Sequence, residues 1–431
     1  MGCDLSDTAA EEIHNQGGSH AHPLLAAAGL LVAATLASAL AACPAAAQQS
    51  TPTPPPPTPN QPTSDAATKL RGINPPPFPM AADKLPTPQL KLPKGFKIEV
   101  FMSGVPNARS LRLGDKGTVF VSNRLLDKVY AVVEKDGKRE LKVIASGLDR
   151  PNGLAFHAGT LYIAEGTKVS KLEKIEDNLD NPPKPVVIYD QFPNHQSHGW
   201  KFIAVGPDNK LYINVGAPCN ICLPPETNGQ IRRINLDGSG SETYVRGVRN
   251  SVGFDFHPVT KELYFTDNGR DWLSEDLPND ELNRVTKAGQ HFGYPYCHQG
   301  NVPDDQFGWG RSCSDYEAPV ALLGPHTAAL GMRFYTGRMF PTAYRNAIFI
   351  ARHGSWNKTN KLGGDVIAVK LNPNGSVKSW EPFMTGFLQD NNYIGRPVDV
   401  EVLKDGSLLV SDDYAGAIYR ISYDGRRVAE R

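Results

Sequence analysis

The chain has 431 residues, and its 45 Lys and Arg are matched by 45 Asp and Glu, for a formal net charge of zero. That balance argues against the broad basic surface of a nucleic-acid binder and against a long acidic tail. Hydrophobic residues at 40% can fill a large core, while 40 Gly and 36 Pro suit many short strands and tight turns better than a helical bundle.

Residues 23–42 form an uncharged apolar run. It is long enough to span a bilayer, but it is rich in alanine and followed at once by small residues, as in the apolar region of an export signal. Two processing sites compete. Leu40-Ala41-Ala42-Cys43 resembles a lipobox, which would leave a lipidated Cys43 as a membrane tether, and Ala45-Ala46-Ala47 before Gln48 resembles an ordinary signal-peptidase site. The first 22 residues hold four acidic residues and no Lys or Arg, which suits neither signal and would follow from a misplaced start. Residues 1–47 are therefore expected to be a leader, with the remainder periplasmic or in the cell envelope. Between 44 and 96 there are 15 prolines. Such a composition favours extended polyproline II and builds no core, so residues 48–95 are expected to be a disordered linker.

From Phe96 onward one phrase recurs, a turn followed by a short apolar strand. It reads Gly117-Thr-Val-Phe-Val-Ser122, Gly159-Thr-Leu-Tyr-Ile-Ala164, Asn209-Lys-Leu-Tyr-Ile-Asn214, Lys261-Glu-Leu-Tyr-Phe-Thr266, Asn346-Ala-Ile-Phe-Ile-Ala351 and Gly406-Ser-Leu-Leu-Val-Ser411. The markers Val119, Leu161, Leu211, Leu263, Ile348 and Leu408 are 42, 50, 52, 85 and 60 residues apart. Periods of roughly 40–50 residues with four strands each are propeller blades. The sequence thus predicts an all-β, six-bladed β-propeller over residues 96–424, with a long loop insertion (roughly 268–330) between the fourth and fifth blade markers. Phe96–Phe101 is expected to pair with the last blade around 417–423 and close the ring. Cys219/Cys222 and Cys297/Cys313 remain after the leader cysteines, and an exported chain with even pairs points to disulfides. The Cys219-Asn-Ile-Cys222 spacing also fits half a zinc site or a redox motif.

Four polar clusters are candidates for chemistry. His195 and His198 lie in a polar loop before the third marker strand. Arg249-Asn250 is flanked by Gly247 and Gly253, giving a permanent cation and an amide. Asp267, Gly269, Arg270, Asp271, Asp276, Asp280 and Glu281 offer carboxylates and turn carbonyls suited to Ca²⁺, without EF-hand spacing. Arg109, His326, Arg352-His353, Lys358 and Arg396 sit beside strands of different blades, where converging cations would suit a polyanionic ligand.

Taken together, His198-Gly-Trp-Lys201, Gly247-Val-Arg-Asn250, Asp267-Asn-Gly-Arg-Asp271 with Gly293-Tyr-Pro295, His353-Gly-Ser-Trp-Asn357 and Gly395-Arg-Pro-Val-Asp399 resemble the pyrroloquinoline quinone (PQQ)-dependent sugar dehydrogenases. The likeness covers residues 97–423 and is greatest to the sorbosone/pyranose dehydrogenase branch. It implies PQQ and Ca²⁺ as cofactors and an aldose or sugar-derived aldehyde, such as sorbosone, as substrate. His198 would be the general base, with Arg249 beside it as a catalytic cation. Arg109, Arg249, Asn250, Lys358 and Arg396 would bind the cofactor, and Gly269, Arg270, Asp271, Asp280 and Glu281 would surround the metal. The soluble glucose dehydrogenases of that family orient the base with an Asp where this chain has Ala217, so the partner of His198 is left open. With no haem motif in the chain, electrons would leave to a separate cytochrome or quinone. A calcium-dependent lactonase and a non-catalytic extracytoplasmic binding propeller are the rival readings.

Overall fold

Each recurring phrase forms the second strand of a four-stranded antiparallel sheet, and the described residues of the computed structural model, 65–425, contain six such sheets and two short two-stranded ones. The leader, Cys43 and the linker up to residue 64 lie outside those residues. Strands Val119–Asn123, Thr160–Ala164, Lys210–Val215, Leu263–Asp267, Ile348–Arg352 and Leu408–Asp412 are buried almost throughout. Each blade is packed between two neighbours, so these strands read as continuous apolar runs where a one-faced strand would alternate. The innermost strands are Ala108–Leu113, Gly153–His157, Ile203–Val205, Gly253–Phe256, Ala329–Phe334 and Pro397–Val402. They contact one another in order around the axis, the sixth returning to the first.

Phe96–Ser103 closes the ring as the sequence predicts, pairing antiparallel with Ala417–Tyr423 as the outermost strand of blade six. Phe96 anchors it edge-on against Phe340 and Phe383, with centroids 4.8 and 5.0 Å away. The extra length after Leu263 belongs to blade four itself. It divides into 268–278, between the second and third strands, and 286–320, before the outermost strand Ala321–Pro325. The second piece is stapled by the Cys297–Cys313 disulfide and by Arg270, whose buried guanidinium pairs with Asp304 at 2.7 Å and Asp305 at 2.6 Å.

The expected disorder of residues 48–95 does not hold for its C-terminal part. The Met80 N–H donates to the Ala415 carbonyl at 2.9 Å, and Lys91 and Thr385 exchange backbone hydrogen bonds at 2.8 and 3.0 Å. Leu85 and Leu90 are buried in the core shared by blades five and six. Apolar residues spaced among the prolines supply this docking, each fully buried Leu stabilising by roughly 1.5–3 kcal/mol.

Midway along the axis, arginines and carboxylates from several blades interlock. Arg112 of blade one donates from Nε and Nη2 to the Leu154 carbonyl of blade two at 2.9 and 2.8 Å, and approaches Glu401 of blade six at 3.4 Å. Arg333 of blade five stands 3.5 Å from both Asp399 and Glu401 and lies over the Phe202 ring beside blade three. Asp255 of blade four accepts from the Phe334 N–H at 2.9 Å, and Asp399 accepts from the Leu111 N–H at 3.0 Å. Burial opposes the Arg333 charge, and Asp399, Glu401 and Asp255 outweigh it and hold its pKa up. Arg333→Met leaves those carboxylates buried without their cation and is expected to destabilise the propeller by about 3–5 kcal/mol in a urea melt; a change below about 1 kcal/mol would show the cluster to be dispensable.

Candidate active site

The loops that follow second strands and precede innermost strands meet at one end of the axis. There they enclose a cavity of about 190 Å³ whose wall includes His198, Trp200, Arg249, Asn250, Asp271 and Asn357.

His198 sits just before the innermost strand of blade three, in a left-handed backbone conformation with φ of 50°. Buried Lys201 fastens the turn by donating from Nζ to the Gly199 carbonyl at 2.6 Å. His198 Nδ1 lies 2.8 Å from the Ala217 carbonyl oxygen. A carbonyl only accepts, so Nδ1 carries the hydrogen and Nε2 keeps its lone pair. The orienting group left open by the sequence is thus a main-chain carbonyl, to which the side chain of residue 217 is indifferent. Gly216 makes the approach possible, since a Cβ there would stand 2.6 Å from the His198 Cβ. Burial, and then the Arg249 cation, push the His198 pKa down to about 3, against the opposing pull of the Ala217 carbonyl. The ring is a neutral base at neutral pH.

Arg249 and Asn250 lead into the innermost strand of blade four, and their backbone N–H groups donate to the Asp267 carboxylate at 2.9 and 2.6 Å. Burial raises that carboxyl to about 7, with the two N–H donors working the other way. Each nitrogen of the Arg249 guanidinium is engaged. Nε donates to the Asn220 carbonyl at 2.8 Å, Nη1 to the Asn268 carbonyl at 3.1 Å, and Nη2 to Asn220 Oδ1 at 2.7 Å and Asp271 Oδ2 at 3.2 Å. Two buried amides of the cavity wall have an oxygen without a partner, Asn250 Oδ1 and Asn357 Oδ1. The orientation of Asn357 follows from its neighbour: Nδ2 faces the Asp271 carboxylate at 2.7 Å, which must receive a donor. Trp200 Nε1 is likewise enclosed and unpartnered. Unsatisfied buried polar atoms are rare in folded proteins, and three on one cavity wall mark a place for a polar ligand.

The structure brings His198, Arg249 and Asn250 together, and with them Gly269, Asp271 and Asp280. The carboxylates expected around a metal are otherwise engaged. Asp271 holds Arg249 and Asn357, and Asp280 accepts from the Gly269 N–H at 3.0 Å and from Thr327 at 3.2 Å. Glu281, outside the cavity wall, accepts from Asn283 at 3.0 Å and from the Gln299 N–H at 2.6 Å, and burial raises its pKa to about 8. No cluster of three or more His, Cys, Asp or Glu side chains suited to a metal occurs among the described residues. The Gly269 and Arg270 carbonyls accept no hydrogen bond within those residues, so they stay available to a hard cation. The Arg270 side chain points away into the insertion.

Three expected cofactor cations are buried near the axis but do not line the cavity. Arg109 pairs with Asp413 at 2.9 Å, Arg396 donates to the carbonyls of His353, Gly354 and Ile73, and Lys358 binds the Glu275 carbonyl and Asp276. A cation the sequence reading passed over lies closer. The Arg124 guanidinium lies 4.5 Å from the centre of the cavity-lining Trp200 ring and has an unpartnered buried Nε. Burial and then Arg109 lower its pKa to about 10. Its signal was positional: Arg124, Asn268, His353 and Asp413 each directly follow the second strand of a blade. His326 also reaches the cavity, its Nε2 2.8 Å from the Ser274 carbonyl, whereas His195 is not on the wall.

A family model described as TrAA12-like matches residues 90–424. An uncharacterized protein of Borreliella burgdorferi is 34% identical over 359 residues, covering 80% of this chain and 93% of that protein. The pyrroloquinoline quinone-dependent pyranose dehydrogenase of Coprinopsis cinerea is 24% identical over 415 residues, covering 78% of this chain and 55% of that enzyme. The solved structure of the holo form of the PQQ domain of the C. cinerea pyranose dehydrogenase superposes with a TM-score of 0.67 at 20% identity, covering 77% of this chain and 97% of that one.

The His198 pKa has a measurable consequence. Between the ordinary 6.5 and about 3, the unfolded chain binds a proton that the native ring refuses, so His198 lowers stability as pH falls through that window. In an NMR titration of the ligand-free protein, the His198 Cε1–H signal is expected to stay unshifted from pH 8 down to about pH 4; a midpoint near 6.5 would contradict the enclosed, cation-flanked ring.

Proposed function

The chain belongs to the TrAA12-like family, and on that footing we propose that it is a PQQ-dependent oxidoreductase acting on an aldose or a sugar-derived aldehyde such as sorbosone. The observation that carries this reading is the meeting of a neutral, oriented histidine with a fixed guanidinium at one polar cavity on the propeller axis. PQQ, when bound, supplies the hydride acceptor.

His198 accepts the substrate hydroxyl proton at Nε2, a contribution worth typically 10²–10⁴-fold. The Ala217 carbonyl holds the ring in that tautomer and stabilises the imidazolium that forms. Arg249 presents a fixed positive charge at the same wall, where negative charge developing on oxygen is stabilised without reorganisation. Trp200 and Trp356 offer flat apolar faces to a planar ring or a sugar. Arg124, stacked on the cavity-lining Trp200, is an additional cation for a carboxylate, and the amide oxygens of Asn250 and Asn357 would accept from ligand O–H or N–H groups. The free Gly269 and Arg270 carbonyls are the sites at which Ca²⁺ would bind. Reducing equivalents would pass to a separate cytochrome or quinone, and two disulfides suit an exported, periplasmic or envelope location. A lactonase would need carboxylates gathered on a metal at the axis; here Asp399 and Glu401 face Arg333, and Glu401 also faces Arg112.

The test is a titration of the apoprotein with PQQ and Ca²⁺ followed by dye reduction with a panel of aldoses and aldehydes. Binding and turnover are expected for the wild type. In His198→Ala, PQQ binding is expected to be nearly unchanged and turnover reduced about 10²–10⁴-fold. Absence of PQQ binding by the wild type would move the chain to the binding-module reading, and undiminished turnover in the variant would remove His198 from its role.

A further inference from the structure

We infer that Asn220 is a positioning residue that holds the Arg249 guanidinium at the cavity wall, and that the Cys219–Cys222 disulfide is the lock that keeps Asn220 in place. The inference rests on the assignment of Arg249 to the cavity chemistry proposed above.

Asn220 is the first of the two residues between the bridged cysteines, in a stretch with no regular strand. Its main-chain carbonyl accepts from Arg249 Nε at 2.8 Å, and its side-chain Oδ1 accepts from Arg249 Nη2 at 2.7 Å. The same Oδ1 accepts from the Asp271 N–H at 2.7 Å, while Nδ2 donates to the Asp271 carbonyl at 3.0 Å. Two donors on one end and a carbonyl on the other leave a single amide orientation. One residue therefore grips the Nε/Nη2 edge of the Arg249 guanidinium at two points and also the backbone of Asp271, whose carboxylate grips Nη2 again at 3.2 Å. Charge-assisted contacts of this kind fix both the plane and the direction of a guanidinium.

The hold on Arg249 depends on where the Asn220 main chain lies, and the disulfide sets that. Tyr294, itself buried, braces the bridge: its hydroxyl accepts from the Cys222 N–H at 3.2 Å and lies 3.4 Å from Cys219 Sγ. Just upstream, the Ala217 N–H donates to the Arg249 carbonyl at 2.8 Å, and the Ala217 carbonyl orients His198. Residues 217–222 are thus a common scaffold for the base and the cation, and the covalent bridge rigidifies the part that carries the cation. A loop that merely capped blade three would have no reason to place its one amide on a cavity arginine.

The experiment compares wild type, Asn220→Ala and Cys219→Ser/Cys222→Ser, all as the full chain, with two readouts. The first is PQQ affinity of the apoprotein, read by quenching of the cavity tryptophans. Asn220→Ala removes the Oδ1 contact to Nη2, and the double serine variant releases the main chain that carries both contacts, so each is expected to weaken binding on the order of tenfold or more. The second needs no PQQ. His198 feels the Arg249 charge, so its NMR titration midpoint is expected to move upward when Arg249 is no longer held beside it. A purely structural loop would leave both readouts at the wild-type values in any variant that folds, and that result overturns the inference. Should Asn220→Ala fail to fold, the double serine variant, which keeps Asn220, decides on the same readouts. If the wild type itself binds no PQQ, the proposed function fails, and the His198 titration still decides the role of Asn220.

Discussion

A propeller closes only if the free edges of its innermost strands are satisfied. Each of these strands pairs on one side and presents unpartnered N–H and C=O groups to the axis on the other, where little water can reach them. This chain meets the requirement deep in the channel with charged side chains from neighbouring blades. Arg112 takes the Leu154 carbonyl, Asp399 the Leu111 N–H and Asp255 the Phe334 N–H. Register shifts in the innermost strands of blades one, five and six, between Ala108 and Leu111, Ala329 and Met332, and Pro397 and Val400, leave stretches that such side chains can fill. The charges are there because strands need partners, and they neutralise one another in doing so.

At the other end of the axis the same edge problem is solved incompletely. Asp267 takes the N–H groups of Arg249 and Asn250, but the amide oxygens of Asn250 and Asn357 and the carbonyls of Gly269 and Arg270 are left over. A site for a polar ligand is, in this sense, a place where leftover polar atoms also line a cavity. The electrostatics agree with that division. Enclosure and then the Arg249 cation keep His198 neutral, and its one ring hydrogen stays on Nδ1, donated to a main-chain carbonyl that cannot titrate.

Much of this was legible in the residues, for reasons that differ from part to part. The six blades were readable because a strand packed on both faces must be apolar at nearly every position, which leaves a repeated phrase. His198, Arg249 and Asn250 were readable because they lie in short phrases next to glycines that the backbone requires. The carboxylates were not. An acidic residue in a loop can ligate a metal, cap a turn or hold an arginine, and only the fold reveals that Asp271 and Glu281 hold protein groups. The docked half of the linker was hidden by its prolines, which mask the burial offered by Leu85 and Leu90.

The cations carry the most instructive divergence. Arg109, Arg396 and Lys358 do gather toward the channel end, yet each has its donors engaged by Asp413, by main-chain carbonyls or by Asp276. A buried guanidinium is costly without acceptors, and these cations find theirs among the chain's own carbonyls and carboxylates. Residue type and blade position therefore predict that cations collect, while the internal acceptors that each one finds decide which of them line the cavity. Arg249 differs because its fork is held by Asn220, Asn268 and Asp271 while it remains on the cavity wall. A charge held in one orientation at a cavity wall is preorganised for whatever the cavity holds.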